Sequence, residues 1–204
     1  ARELNKYEQE IFKSMEKRTI IVGDFNMQPY EAGICSGYGF NATMSANHAA
    51  KITREVDGEI VYFYYNPMWS LMGANKLVQG TYYNSSDKDD HAIYWYSFDS
   101  VLLRPCYIEK FSWNYFEIVE KTKKYNFVPN TTIDKERFSD HLPIKFEILG
   151  GWKMAIDLWG FKDVKDLEKN TSDFPETILK EQISALGDKT GFVLYGKPLY
   201  MKVN

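Results

Sequence analysis

Residues 19–26 read Thr19-Ile20-Ile21-Val22-Gly23-Asp24-Phe25-Asn26, and this stretch says most about the fold. Its first half is a short β-branched run, which is typical of a buried strand. Its second half places a carboxylate and an amide directly after that strand. Ligand sites of α/β proteins are commonly built at the carboxyl ends of core strands. The stretch therefore places Asp24 and Asn26 where a binding or catalytic site is expected.

Two later segments also combine charged residues with a strand pattern. They are Phe98-Asp99-Ser100-Val101-Leu102-Leu103 and Ser139-Asp140-His141-Leu142-Pro143-Ile144. We expect a strand within each of 91–103 and 144–149. The other predicted elements are an amphipathic helix over 4–15, a short helix within 27–38, an irregular segment over 42–52, strands at 59–65 and 80–84, and helices over 161–169 and 175–186.

In this order, the three segments containing Asp24, Asp99 and His141 resemble the later motifs of the endonuclease/exonuclease/phosphatase superfamily. The resemblance covers about residues 1–149. This family includes pancreatic-type deoxyribonucleases, abasic-site endonucleases, sphingomyelinases and inositol-phosphate phosphatases. The resemblance implies an α/β fold, namely half of a four-layered α/β sandwich that consists of a mixed β-sheet with outer helices. Residues 150–204 are predicted to form a small α+β appendage or the start of a second domain.

The residue types suit phosphodiester hydrolysis independently of any family. The reaction needs an activated water, a cation beside the non-bridging oxygens, and hydrogen-bond donors aimed at the developing charge. Asp24 and Asn26 are two residues apart, so on a continuous strand their side chains would share a face. Asp140 and His141 are adjacent and would point in different directions. One carboxylate with retained waters is a typical Mg²⁺ environment.

The resemblance implies a role for each matching residue. Asp24 would activate the attacking water, and Asn26 would hold this water and the phosphate. Asp140 would bind the divalent metal, Mg²⁺ or Mn²⁺. His141 would donate to a phosphate oxygen, and Asp99 would accept from the other ring nitrogen of His141. The expected substrate is a nucleic acid or another phosphodiester.

The resemblance also implies an N-terminal half that supplies an Asn and a Glu metal ligand. Only 23 residues precede Asp24, and their acidic residues lie on the predicted outer helix. We therefore expect this chain to be the C-terminal half and to leave one sheet face bare. Three explanations stay open: the chain is a fragment, it pairs with an N-terminal half chain or as a homo-oligomer, or it stands alone. The chain alone is expected to have little activity.

Composition limits the class of protein. The net charge is −3, which argues against a protein that coats nucleic acid through global basicity. Two isolated cysteines, Cys35 and Cys106, make no disulfide framework and are expected to be buried thiols. No apolar run is long enough for a membrane span, so a cytoplasmic location is the default expectation. His48 has no chemical neighbours in the sequence and is predicted to be a surface residue.

Alternatives remain for each motif and for the function. Gly-Asp-Phe-Asn alone is typical of a turn after a strand. Asp140 and His141 alone could cap a turn, and Asp99 alone could be a solvated residue at a sheet edge. The aromatic runs are interpreted as packing rather than base stacking. At the level of function, a phosphatase or phospholipase-like enzyme and a catalytically silent binding module both remain open.

Overall fold

The computed structural model describes residues 19–73, 76–86 and 92–149, together with the backbone of residues 152–156 and 192–194. The predicted helices over 4–15, 161–169 and 175–186 lie outside these residues. The described strands are β1 (Ile20–Asp24), β2 (Ala42–Thr43), β3 (Thr53–Val56), β4 (Glu59–Tyr62), β5 (Tyr64–Tyr65), β6 (Tyr82–Tyr83), β7 (Trp95–Tyr96), β8 (Asp99–Leu103), β9 (Glu117–Ile118), β10 (Ile144–Ile148), β11 (Trp152–Ile156) and β12 (Phe192–Leu194).

The helices in the described residues are short. They are α1 (Ala32–Cys35), α2 (Ala46–Ala49) and α3 (Trp69–Met72), with two 3-10 helices at Pro105–Lys110 and Trp113–Tyr115. None of these helices has the length and apolar character needed to cross a membrane. The region 42–52, predicted as irregular, in fact contains β2 and α2. The Ser45 side chain caps α2 by accepting from the backbone N–H of His48 at 3.3 Å.

The largest sheet has five strands in the order β12-β1-β8-β5-β2. It is mixed, because β12 and β2 pair in parallel with their neighbours while β8 is antiparallel to both β1 and β5. A second sheet of three antiparallel strands has the order β11-β10-β9, and β3-β4 and β6-β7 form two-stranded pairs. The fold is therefore α/β with a mixed sheet, as the sequence predicts.

Both faces of the five-stranded sheet are covered at its central strands. Ile20 and Val22 of β1 pack in one apolar cluster together with Ile144 and Phe146 of β10. Ile21 points the other way, into a second cluster with residues of α1 and β2. The expectation of a bare sheet face is therefore wrong for β1 and β8. The three-stranded sheet and the loops around it cover the face with Ile20 and Val22, and the segment from α1 to β2 covers the face with Ile21.

The predicted strand 59–65 is interrupted, and the segment 91–103, which was predicted to contain a strand, contains two. The stretch 59–65 breaks at Phe63, because Tyr62 pairs with Thr53 in the β3-β4 pair while Tyr64 pairs with β2 in the main sheet. The stretch 91–103 yields β7 and β8 with a gap at Ser97 and Phe98. Each interruption marks a point where the chain passes from one sheet to another.

The described parts of residues 150–204 continue the two sheets. β11 pairs with β10 over five residue pairs, and β12 pairs with β1 over three. Strand pairing therefore crosses the boundary placed at residue 150, and the division into two domains stays a prediction. Cys35 and Cys106 are of intermediate exposure rather than fully buried.

Candidate active site

The site is built on the last residue pair between β1 and β8. The antiparallel register places Asp24 directly opposite Asp99. Asp99 is completely buried, whereas Asp24 is only partly buried at the end of its strand. Directly opposed carboxylates repel one another and destabilise a sheet. A pair of this kind therefore needs a compensating partner.

His141 is that partner. Its Nδ1 lies 2.7 Å from Oδ2 of Asp99, and its side chain is almost fully buried. The ring also contacts Tyr82, with ring centroids 5.0 Å apart, and Phe98. Because Asp99 and His141 are 42 residues apart, only the folded chain brings them together. Within the described residues, ligand atoms of Asp24, Asp99 and His141 all lie within 4.8 Å of one another.

The electrostatics of the cluster favour the charged imidazole. Burial lowers the pKa of His141, but the hydrogen bond to Asp99 and the charges of Asp99, Asp24 and Asp140 outweigh it, so the pKa is raised. The pKa of Asp24 is also raised. Its main cause is burial, which the Asn26 N–H opposes; the charge of Asp99 then adds to the rise.

Thr81 holds the segments of Asp99 and His141 together through hydrogen bonds to their backbone. Its backbone N–H and, more weakly, its hydroxyl donate to the carbonyl of Tyr96, at 2.8 and 3.5 Å. The Thr81 hydroxyl oxygen accepts from the N–H of Asp99 at 3.2 Å, and its carbonyl accepts from the N–H of Leu142 at 2.7 Å. One buried threonine thus joins the segments that carry Asp99 and His141. A threonine in a predicted strand gives no signal of this role.

Gln28 is a second supporting residue without a sequence signal. It is buried, and its side-chain oxygen accepts from the backbone N–H of Ser97 at 2.9 Å. The Phe25 N–H donates to the carbonyl of Phe98 at 2.8 Å. These contacts fix the turn after β1 against the segment that leads into β8.

Asn26 is placed differently from the prediction. β1 ends at Asp24, and Asn26 has a φ of 52°, in the left-handed region that Asn tolerates better than most residues. The strand alternation that would put both side chains on one face therefore does not reach Asn26. Instead, the backbone N–H of Asn26 donates to Oδ1 of Asp24 at 2.8 Å. The segment is an Asx-type turn that orients the carboxylate.

Asp140 and His141 do separate, as expected for adjacent residues. His141 is buried, while Asp140 is exposed and stands outside the tight cluster of three. Its charge nevertheless raises the pKa of both Asp24 and His141. Three carboxylates around one imidazole leave an excess of negative charge. Oxygen donors and an excess of negative charge are features of sites that bind hard divalent cations.

The aromatic side chains around the site contact one another. Tyr82 stacks on Phe98 with centroids 5.5 Å apart, and Tyr96 lies 5.0 Å from Phe98. This agrees with the interpretation of these aromatic residues as packing. Tyr82 and Phe98 also help to bury the His141 ring. The low dielectric of a buried site strengthens the hydrogen bond between His141 and Asp99.

Comparison of the chain with protein-family models, with curated proteins and with solved structures found no match. The relation to the endonuclease/exonuclease/phosphatase superfamily therefore stays a prediction that depends on the three segments. What the structure adds is the placement of Asp24, Asp99 and His141 within one cluster.

Proposed function

We propose that the protein is a divalent-metal-dependent hydrolase of phosphodiesters, with nucleic acid as the leading substrate. The observation that carries the proposal is the buried Asp99–His141 hydrogen bond beside Asp24. Three segments distant in sequence meet there at the cost of opposing two carboxylates. Clusters of residues with shifted pKa values are enriched at catalytic sites.

His141 is the proposed donor to the phosphate. Asp99 occupies Nδ1, so Nε2 carries the second proton of the imidazolium. The raised pKa keeps that proton available near neutral pH. An N–H donor on a non-bridging oxygen stabilises the charge that develops as water attacks.

Asp24 is the proposed general base. Its carboxylate, partly exposed at the strand end, accepts a proton from water as the water oxygen bonds to phosphorus and the leaving oxygen departs. The raised pKa suits a carboxylate to this work. The N–H of Asn26 holds one carboxylate oxygen, and the Asn26 side chain is the proposed contact to water and phosphate.

Asp140 is the proposed ligand of the metal. A bound Mg²⁺ or Mn²⁺ would neutralise a non-bridging oxygen and the leaving oxygen. The resemblance implies a further acidic ligand from an N-terminal half, supplied by another segment or another chain. The finer fold assignment, half of a four-layered sandwich, belongs to this proposal and is supported by the packing of two sheets around one core.

The proposal is tested with the purified chain on supercoiled DNA and on bis(p-nitrophenyl) phosphate, with Mg²⁺, Mn²⁺ or EDTA. We expect weak metal-dependent cleavage by the chain alone, because a further acidic ligand comes from an N-terminal half, and this cleavage should fall about 10²–10⁴-fold in His141→Gln. Lys145→Gln is the matched control, because Lys145 lies on β10 near His141 and bonds Glu117 at the surface. Its activity should stay within about twofold.

Metal binding provides a second measurement that does not need turnover. Mn²⁺ binding, followed by electron paramagnetic resonance, should weaken about tenfold or more in Asp140→Asn. A folded chain that neither cleaves the esters nor binds Mn²⁺ would instead be the silent binding module. Release of phosphate from sugar or lipid phosphates, without DNA cleavage, would assign the phosphatase or phospholipase-like alternative.

A further inference from the structure

A cavity of about 360 Å³ lies beside the edge strand β2 of the main sheet. It is lined by residues of β2 and of the segments around α2, α3 and β3. Thr43, one of its lining residues, pairs with Tyr65, which pairs with Leu103 opposite Ile20. The Ile20–Leu103 pair lies four residues along β1 from Asp24, which corresponds to a distance of about 13 Å. Within the described residues, the cavity and the candidate active site have no residue in common.

Two lining residues have buried donors without an acceptor in the described part of the chain. They are Asn41 Nδ2 and Trp69 Nε1. Asn41 is only 3% exposed, and its Oδ1 accepts from Nε of Arg54 at 2.6 Å, which fixes the orientation of the amide. Burying a donor without a partner is costly. Both donors belong to residues that line this cavity, so a ligand bound in it is a candidate source of the acceptor.

The charged and titratable groups of the cavity favour an anion. Arg54 lines it and is positioned by the bond to Asn41, while none of the lining residues in the described part of the chain is acidic. His48 also lines it, and its Nδ1 is 2.8 Å from Oγ of Ser45, which orients the ring. A guanidinium with neighbouring N–H donors matches carboxylate and phosphate oxygens.

The remaining wall of the cavity is apolar. Phe63 is buried there, Met44 is a well-exposed apolar side chain, and Trp69 adds an aromatic ring. Small-molecule sites are typically of this size and combine an apolar wall with a few fixed polar groups. We propose that the cavity lined by Asn41, Arg54 and Trp69 binds a small molecule with an anionic phosphate or carboxylate group on a flat apolar body.

The test uses phenyl phosphate, benzoate and inorganic phosphate as probes, with benzyl alcohol as the neutral analogue. Binding to the full chain is followed by NMR through the indole N–H of Trp69, assigned with Trp69→Phe. We expect dissociation constants of about 1 mM for phenyl phosphate or benzoate, as for small fragments. Benzyl alcohol should bind at least about tenfold more weakly. The tighter of the two aromatic anions identifies the anionic group as phosphate or carboxylate.

Two variants distinguish binding in this cavity from a general attraction of anions to the positive charges of the protein. Asn41→Asp keeps the shape, suits the φ of 52° and replaces the donor by an acceptor, so binding should fall about tenfold or more. Arg54→Gln should have a similar effect. Lys51→Gln removes an exposed positive charge nearby and should change binding by less than about twofold.

The proposal is overturned if neither aromatic anion binds at 10 mM, a concentration about ten times the expected constant. It is equally overturned if Lys51→Gln weakens binding as much as Arg54→Gln, or if Asn41→Asp and Arg54→Gln, both folded, bind as the wild type does. Because no readout is catalytic, this result is independent of the proposed function.

Discussion

Strand β8 has a buried ionic group at each end, and the two are held in different ways. At its start, Asp99 is completely buried and bonded to His141. Just after its end, Arg104 is 2% exposed, donates to the carbonyl of Phe63 at 2.9 Å, and lies 3.6 Å from the ring centroid of Tyr64. The same strand thus carries two desolvated charged residues within six positions.

The two ends of β8 differ in whether the charged residue and its partner can exchange a proton. A histidine beside a carboxylate gains and loses a proton near neutral pH, whereas a guanidinium stays charged. The described contacts of Arg104 include a backbone carbonyl and an aromatic face, neither of which exchanges a proton. Burial of charge is therefore common to both ends, and the Asp99 end differs in that its partner, His141, can gain and lose a proton.

The largest expected effect is on the Asp99 end. Asp99→Asn should reduce metal-dependent phosphodiester cleavage about 10²–10⁴-fold, because the amide neither fixes the tautomer of His141 nor favours its cation. In the same variant the pKa of His141, followed by NMR in EDTA, should fall, since Asp99 is the main group that raises it.

Glu117→Gln is the control for this loss, because Glu117 is an exposed carboxylate that bonds Lys145 on the second sheet. Its activity should stay within about twofold. An unchanged His141 titration in Asp99→Asn would remove the basis for treating the two ends of β8 as different.

The Arg104 end should respond in stability alone. Arg104→Met should lower the free energy of unfolding by about 3 kcal/mol, because it removes a buried charge from its contacts and takes the donor away from the carbonyl of Phe63. At about 2–4 °C per kcal/mol, Tm should fall by roughly 6–12 °C in thermal unfolding followed by circular dichroism. Activity per folded molecule at 20 °C should remain within about twofold.

Arg137→Met is the matched control, because Arg137 also lies over an aromatic ring, that of Phe138, but its side chain is exposed. It should cost no more than about 0.5 kcal/mol. A large activity loss in folded Arg104→Met would contradict the division of roles along β8.

A smaller and opposite effect is expected for Asp24, the third member of the cluster. Asp24→Asn should raise Tm by about 1–3 °C, because burial and the charge of Asp99 penalise the carboxylate. Cleavage should fall at least about 10²-fold. Asp24→Ala separates the two contributions, since it also loses the acceptor for Asn26. If Asp24→Asn lowers Tm, the carboxylate stabilises the fold. The argument that burial and the charge of Asp99 make the Asp24 carboxylate unfavourable for stability is then wrong.

The smallest effect concerns the turn after β1, which contrasts with the extended backbone at Arg104. Asn26→Ala should cost about 1 kcal/mol in urea unfolding, because alanine resists the φ of 52°. Asn26→Gly should cost only a few tenths of a kcal/mol. Equal loss of cleavage in the two variants would assign the function to the amide side chain. Full cleavage by Asn26→Gly would restrict Asn26 to a backbone role.

Much of the fold was predictable, because local periodicity reports burial. The runs containing Ile20–Val22 and Val101–Leu103 lie in β1 and β8. The α/β class with a mixed sheet followed from such segments. The break at Phe63 and the cover over the sheet were not predictable, since both depend on which strand each segment pairs with.

The site was predictable in its charged members and not in its supports. Asp24, Asp99 and His141 were predicted from three segments that resemble motifs of one superfamily, and the structure brings their side chains together. Thr81 and Gln28 were missed, because a threonine and a glutamine that bond remote backbone groups leave no local pattern. The donors of Asn41 and Trp69 were missed for the same reason.

The sequence by itself determined which segments are strands and which polar residues follow them, because side-chain alternation and turn chemistry act over a few residues. Only the tertiary structure decided that Asp99 meets His141, that Asn26 turns away from the strand, and that Arg104 packs on Tyr64. These contacts join residues up to 42 positions apart, and they depend on strand register and the packing of two sheets, neither of which a local pattern encodes.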